Sequence, residues 1–152
     1  MKFMIMLKQE IGQINMAHFA EIRSDNNKVL RVVVINNSDV NANGGDLSVE
    51  AETWVANNTS QDPLIKEELG GVYPNTYWKQ TSFGNNFRQI YAGAGYTYDA
   101  SIDKFVPEKI YDNWVWDEPN WTWKPPVDVP LDENGPYRWD QENNQWVSIK
   151  GI

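Results

Sequence analysis

The stretch AHFAEIRSDNNKVLRVVVI, residues 17–35, decides the fold of this chain. Its first six residues alternate as a half-buried strand does, with Phe19 and Ile22 pointing inward, and VLRVVVI is the strongest strand pattern in the sequence. Turn formers separate the two runs, with residues 25–27 at the tip, because Asp and Asn adopt left-handed backbone easily. The stretch therefore predicts a β-hairpin, and the unbroken run of residues 32–35 predicts a strand covered on both faces.

The residues that follow predict a mixed α+β body. We expect a polar loop over NNSDVNANGGD, residues 36–46, and a helix over LSVEAETWVANN with Ser48 as its cap. DPLIKEELGG predicts a second helix, with Asp62 as N-cap, Pro63 in the first position and a glycine past the end. YWKQTSF predicts a return to strand, and FRQIYAGAGYTYD predicts a further strand loosened by its glycines.

Composition excludes several classes of function. The chain has 152 residues, a formal net charge of −8 and no cysteine. An acidic surface repels phosphate backbones and anionic membranes, so we expect neither nucleic acid nor a membrane as partner. The absence of cysteine excludes disulfide scaffolds, thiolate metal sites and cysteine nucleophiles.

The first fifteen residues, MKFMIMLKQEIGQIN, do not read as a signal peptide. Their apolar run is short, Lys8 and Glu10 follow it at once, and no small-residue cleavage site appears. Met16 offers a second plausible start. We therefore interpret residues 1–15 as an N-terminal arm or a mis-called start of a soluble protein made in the cytoplasm.

Charge and aromatic content divide the rest of the chain. Residues 1–95 contain 8 Lys/Arg and 10 Asp/Glu, net −2, whereas residues 96–152 contain 5 and 11, net −6. Six of the eight prolines and six of the eight tryptophans also lie in the second part. We therefore predict an α+β body over residues 16–95 and a Trp/Pro-rich tail over residues 96–152.

A threefold repeat organises the predicted tail. Each copy reads aromatic-x-aromatic-Asp, then five residues, then a third aromatic, in YTYDASIDKFVP, WVWDEPNWTWKP and YRWDQENNQWVS. Aromatic residues two apart share one face of a strand, and the aspartate can bond the following turn. The pattern predicts three short β-hairpins, with the third aromatic opposite the first two. Since a lone hairpin is marginal in water, the three must pack on one another, on the N-terminal body or on another protein. The proline-rich links favour an extended path, so a tail covered by a partner is at least as well supported as a free globule.

Catalytic chemistry is poorly represented, and we predict no enzymatic activity, cofactor or metal site. His18, the single histidine, is interpreted as a packed or surface residue. Asp99 with Asp103 and Asp117 with Glu118 are the paired carboxylates that glycoside hydrolysis would use, but they occupy turn-like positions. No phosphate-binding loop or nucleophile elbow is present.

The tail tryptophans are the candidate binding residues. Tryptophan faces stack on sugar rings and also anchor protein interfaces, although mutual packing explains most rings of so small a unit. Trp121 lies outside the repeat frame, at the turn of the second hairpin, and is the best candidate for a projecting ring that contacts a partner. The candidate protein- or glycan-binding set is Trp116, Trp121, Trp123, Trp139 and Trp146.

Several motifs, in order, carry a family resemblance. They are MAHFAEI, VLRVVVINN, WKQTSF, NNFRQIYAGAGYTYD, FVPEKIYDNWVWDE, WKPPVDVP and YRWDQENNQWV. Together they resemble a family of small proteins of cyanophages and other marine tailed phages, carried as uncharacterised or virion structural proteins. The resemblance runs from Met16 onward and is less clear around residues 40–75. It implies a phage context and a place in the particle, and it assigns no catalytic residue.

Our leading hypothesis is a non-enzymatic virion structural protein, present in multiple copies and docked on capsid or tail proteins through its hairpin tail. It would decorate the capsid or belong to the neck, tail or fibre. The alternative is a module of a phage tail that binds host-surface glycans. A weaker likeness of the tryptophan-rich end to tail-fibre assembly proteins suggests an assembly factor as a further alternative.

Overall fold

The computed structural model describes residues 16–152. The predictions about residues 1–15 lie outside the described residues. By its internal contacts the chain divides into two compact units, the first ending at Val106 and the second comprising Pro107–Ile152.

The first unit is built on a three-stranded antiparallel sheet. Strands β1 (Met16–Arg23), β2 (Val29–Asn36) and β3 (Thr76–Thr81) lie in the order β2-β1-β3. The predicted hairpin is confirmed as β1–β2, which pairs Phe19 with Val33. Asn27, in its turn, has a φ of 60°, the left-handed backbone for which asparagine is suited.

Strand β1 is buried on both faces, and β2 is not. Phe19 and Ile22, on opposite faces of the central strand, are both fully buried. The prediction of a doubly covered strand at residues 32–35 is wrong, since Val34 is 52 % exposed. The physical reason is position: β1 is the central strand, and both apolar layers pack on it, whereas β2 lies at the edge of the sheet.

Among residues 16–152, three helices accompany the sheet: α1 (Asn37–Ala42), α2 (Val49–Asn58) and α3 (Pro63–Glu68). The two predicted helices are confirmed with their caps, because Ser48 accepts a hydrogen bond from Ala51 N and Asp62 accepts one from Leu64 N. The prediction of a polar loop after β2 is wrong over α1. Asn36 caps that short helix through Ser38 N, and burial of Val40 fixes it to the core.

Two apolar clusters lie on the two faces of β1. One contains Phe19 and Val40 together with α2 residues and Trp78 of β3. The other contains Ile22, Ala92 and the aromatic residues of the first predicted hairpin. The sheet is therefore packed against helices on one face and against residues 90–105 on the other.

The strand predicted over FRQIYAGAGYTYD is mostly absent. Arg88 and Gln89 have φ values of 52° and 73°, which break an extended path, and residues 87–95 form bends and a turn. Only Thr97–Asp99, strand β4, is regular there. The Arg88 side chain donates from Nη1 to the carbonyl oxygen of Gln80 at 2.9 Å, which holds this irregular segment against β3.

The threefold repeat is confirmed as three antiparallel hairpins. They are β4 (Thr97–Asp99) with β5 (Lys104–Val106), β6 (Val115–Asp117) with β7 (Thr122–Lys124), and β8 (Tyr137–Asp140) with β9 (Gln145–Ser148). In each, the second and third aromatics of the motif are directly paired: Tyr98 with Phe105, Trp116 with Trp123, and Trp139 with Trp146. The fold is thus α+β, with a small antiparallel sheet followed by short aromatic hairpins.

The unit boundary differs from the one predicted at residues 95 and 96. Tyr98 is 4 % exposed and Phe105 is fully buried, and both belong to the second apolar cluster of the first unit. The first hairpin is therefore part of the body, and only the second and third hairpins lie in the second unit. No helix among residues 16–152 has the length and apolar character needed to cross a membrane.

Candidate functional site

The second hairpin holds three tryptophan rings in mutual contact. Trp116 lies edge-on to Trp123, with ring centroids 5.1 Å apart and planes at 64°. It lies edge-on to Trp121 as well, at 5.1 Å and 81°. All three rings are half-buried. Such edge-to-face pairs stabilise the hairpin beyond the area they bury, which gives these rings a structural role.

Trp121 does not project from the hairpin tip as predicted. It occupies the position before the returning strand, where its φ is 50°, and the equivalent residues Asp103 and Asn144 have φ values of 53° and 54°. Left-handed backbone is unfavourable for a bulky residue, whereas Asn and Asp adopt it readily. Contact with Trp116 offsets that strain, so the ring that the repeat frame left unassigned packs on the hairpin. Its part in binding a partner stays a prediction.

The aspartates of the motif close the turns of the hairpins. Asp117 accepts from the side chain of Asn120 at 2.8 Å, and Asp140 accepts from that of Asn143 at the same distance. These hydrogen bonds hold the pKa of both carboxyls below the ordinary value. Asp99 accepts from Ser101 N in the first hairpin. The predicted turn role of the motif aspartate is confirmed, and the three carboxylates lie in three separate turns.

In the second and third hairpins, the third aromatic of the motif also contacts the connection that precedes the hairpin. Trp123 donates from Nε1 to the carbonyl oxygen of Pro107 at 2.9 Å, and Trp146 donates to that of Val127 at 2.8 Å. The Nζ atom of Lys109, in the same connection as Pro107, lies 4.9 Å from the Trp123 ring centroid. The sequence predicted ring-to-ring packing and missed this contact. The presence of Trp, rather than Phe, at that position was the available signal.

The third hairpin contains the most buried ring of the second unit. Trp139 is 7 % exposed and lies edge-on to Trp146 at 5.2 Å. Its indole Nε1 donates to Asn113 Oδ1 at 3.3 Å, and Trp114 lies edge-on to it at 6.4 Å. Residues before the second hairpin therefore pack on the third, which makes residues 107–152 one unit.

A buried carboxylate lies in the first unit, where the sequence analysis had no candidate. Glu21, on β1, is 4 % exposed. Its Oε1 accepts from Arg31 Nε at 2.7 Å and from the Tyr73 hydroxyl at 2.6 Å, and its Oε2 accepts from Thr76 at 2.8 Å. Burial, together with the bond to Glu21, raises the pKa of Tyr73 to about 12. The network ties the three strands together and has no oxygen left free for chemistry.

Asp99 and Asp103, the carboxylates that glycoside hydrolysis would use and that were expected in turns, have different hydrogen-bond partners. Asp103 accepts from Arg88 Nε at 2.7 Å and from the Tyr98 hydroxyl. Partial burial acts to raise the pKa of Asp103, but these two hydrogen bonds outweigh it and hold the pKa below the ordinary value. No group of three or more His, Asp or Glu among residues 16–152 is placed to hold a metal ion.

A cleft at the end of the sheet contains the single histidine. It has a volume of about 440 Å³ and lies where β1 begins and β3 ends. His18 stacks on Phe83 with centroids 5.8 Å apart, and its Nδ1 lies 3.1 Å from the Tyr91 hydroxyl. Burial lowers the pKa of His18. Sequence reasoning described His18 as packed or exposed and did not find the cleft, because its walls come from distant segments.

Comparison of the chain with protein-family models, curated proteins and solved structures gives no match. The phage resemblance of the motifs therefore stays a prediction.

Proposed function

We propose that the chain is a non-enzymatic bacteriophage virion structural protein that docks on other virion proteins through residues 107–152. It would occur in multiple copies, as a capsid decoration or as a component of the neck, tail or fibre. The sequence resemblance supplies the phage context. The geometry of the second unit supports docking as its role.

One observation carries the docking proposal: the connections between hairpins expose large apolar side chains. Ile110 is 76 % exposed, Val127 is 54 % exposed and Leu131 is 97 % exposed. The tryptophan rings of the hairpins contact one another and donate hydrogen bonds to the backbone of the connections. Apolar side chains held on a fixed frame, with little core of their own to enter, suit an interface with another protein.

Charge indicates the kind of partner surface. Residues 107–152 contain nine Asp/Glu and four Lys/Arg, net −5. Acidic residues flank the exposed apolar ones, as Asp128 and Asp132 do around Leu131. Complementary potentials steer association and suppress wrong partners, so we expect a basic groove with an apolar floor on the partner.

The experiment is quantitative mass spectrometry of purified particles from a phage that encodes the chain. We expect the protein at a fixed copy number per particle. Ile110→Ser with Leu131→Ser should reduce incorporation, because both side chains would lose their contacts with the partner. Leu64→Ser is the matched control, since Leu64 lies on α3 of the body and is 69 % exposed.

Two results would contradict the proposal. Absence of the protein from particles, while it is abundant in the infected cell, rules out a virion role. Unchanged incorporation of the Ile110→Ser, Leu131→Ser variant rules out docking through these connections.

A further inference from the structure

The cleft at the end of the sheet combines an exposed aromatic ring with uncharged polar groups. Phe83 is 75 % exposed although its ring is positioned by His18 at 5.8 Å and by Tyr91 at 5.4 Å. An aromatic ring in a fixed orientation with a solvent-accessible face can cover the apolar C–H face of a ligand. The Phe83 ring belongs to neither apolar cluster, so its exposed position does not contribute to the core of the fold.

The polar lining offers both donors and acceptors. Asn37 and Asn86 line the cleft, and the structure shows no side-chain hydrogen bond for either within residues 16–152. Gln80 is held in place, because its Oε1 accepts from Leu47 N and its Nε2 donates to Asp46, both at 2.8 Å. A side-chain amide donates and accepts at once, which is what a ligand hydroxyl group requires.

The charges that line the cleft do not favour an ionic ligand. No Lys or Arg lines the cleft within the described chain, so an anionic ligand would find no counter-charge. Asp46 is the one carboxylate among the lining residues of that region, and one of its oxygens already accepts from Gln80. A single, partly engaged carboxylate is a weak site for a cation.

We propose that this cleft binds a neutral saccharide, with Phe83 against the C–H face of the ring and the amides of Asn37 and Asn86 on its hydroxyl groups. The volume of about 440 Å³ lies within the range of small-molecule sites, roughly 300–1,000 Å³. The site lies in the first unit and does not involve the tryptophans of the second. It adds a ligand-binding activity to the docking role and does not depend on it.

His18 makes the proposal testable, because its imidazole signals are those of the only histidine in the chain. Glucose, galactose, mannose and N-acetylglucosamine are titrated into the full-length protein while these signals are followed by NMR. We expect at least one sugar to shift them saturably at millimolar concentration. Phe83→Ala and Asn86→Ala should each weaken that binding about tenfold or more.

The controls separate the cleft from the hairpins and from unfolding. Leu64→Ala, at an exposed position of α3, should bind as the unaltered protein does, and Trp121→Ala tests the hairpin as the alternative site. Phe83 and Asn86 are both exposed, so both variants should keep the original melting temperature. Asn86→Ala also keeps the hydrogen bond that the Asn86 backbone N–H donates to Ser82 Oγ.

A second arm presents the protein to immobilised glycans, which distinguishes a surface glycan from a free sugar as the ligand. Binding in either arm that Phe83→Ala weakens by about tenfold or more supports the cleft. If no saccharide shifts the His18 signals and no glycan is retained, the proposal is overturned. Binding that is lost in Trp121→Ala and kept in Phe83→Ala overturns it as well, and places recognition on the hairpin. Neither result depends on whether the protein enters particles.

Discussion

Glu21 and Trp121 are the two residues at which local chemistry is least ordinary. Glu21 is a carboxylate inside an apolar body, and it persists because Arg31, Tyr73 and Thr76 satisfy its oxygens. Trp121 holds left-handed backbone where the other hairpins place Asp or Asn. In both cases, contacts with neighbouring side chains offset an unfavourable free energy: that of burying a charge at Glu21 and that of left-handed backbone at Trp121.

Glu21→Gln should lower the free energy of unfolding by about 3 kcal/mol, because it leaves the half-buried Arg31 charge without its partner. Urea denaturation measures the change. Asp25→Asn is the matched control, since it removes the partner of Arg23 in an exposed ion pair and should leave stability unchanged. Equal effects of the two substitutions would mean that the Glu21 network is not a stabilising feature.

At the scale of elements, the three hairpins share one design. An aspartate ends the first strand, a residue with positive φ precedes the second, and paired aromatics face each other across the ladder. The hairpins differ in what they pack against, because the third aromatic residue of the motif differs. Phe105 is fully buried in the body, whereas Trp123 and Trp146 use their indole nitrogens to hold a connection.

Acid should weaken the turns of the second and third hairpins. Hydrogen bonds from Asn120 and Asn143 keep the pKa of Asp117 and Asp140 below 3.8 in the folded chain. A carboxyl with a depressed pKa contributes stability above its unfolded pKa, and that contribution is lost as the pH falls through the folded value. The amide signals of Asn120 and Asn143 should therefore move toward random-coil positions below pH 3.8.

Asp140→Asn provides an internal control for this titration. It removes the titrating group of the third hairpin, so the pH-dependent change at Asn143 should disappear while that at Asn120 remains. Identical pH profiles at Asn143 with and without the substitution would show that another group controls the turn.

At the scale of the whole molecule, the decisive feature is that the first hairpin completes the body. Tyr98 and Phe105 cover the face of β1 opposite the helices. The Tyr98 backbone N–H also bonds Asn27 O at 2.9 Å, which joins the hairpin to the turn of the sheet. Within the second unit, ring contacts and hydrogen bonds to the connections hold the hairpins.

A chain ending at Val106 should melt cooperatively, close to the full-length protein, whereas one ending at Gly95 should not fold. The shorter chain lacks two buried aromatics, each worth about 3–5 kcal/mol in a core, against a typical total stability of about 5–15 kcal/mol. Circular dichroism of the two fragments measures the difference. Equal melting of both would place the boundary at residue 95, as the sequence predicted.

The sequence by itself determined the features that depend on interactions between residues close together in the chain. The β1–β2 hairpin, the capped helices α2 and α3, and the threefold repeat all follow from periodicity, cap residues and turn formers. Short helix α1 was missed because its stability comes from burial of Val40, which a local pattern of polar residues does not reveal.

Only the tertiary structure decided which strand is central, where the body ends and where the cleft forms. Burial of β1 on both faces depends on helices that cover one face and on the first hairpin that covers the other, and both come from later parts of the chain. The cleft unites His18, Asn37 and Phe83 from separate segments, and no local pattern links them. These features arise from long-range packing, whose energy depends on neighbours brought together in space and not on adjacent residues.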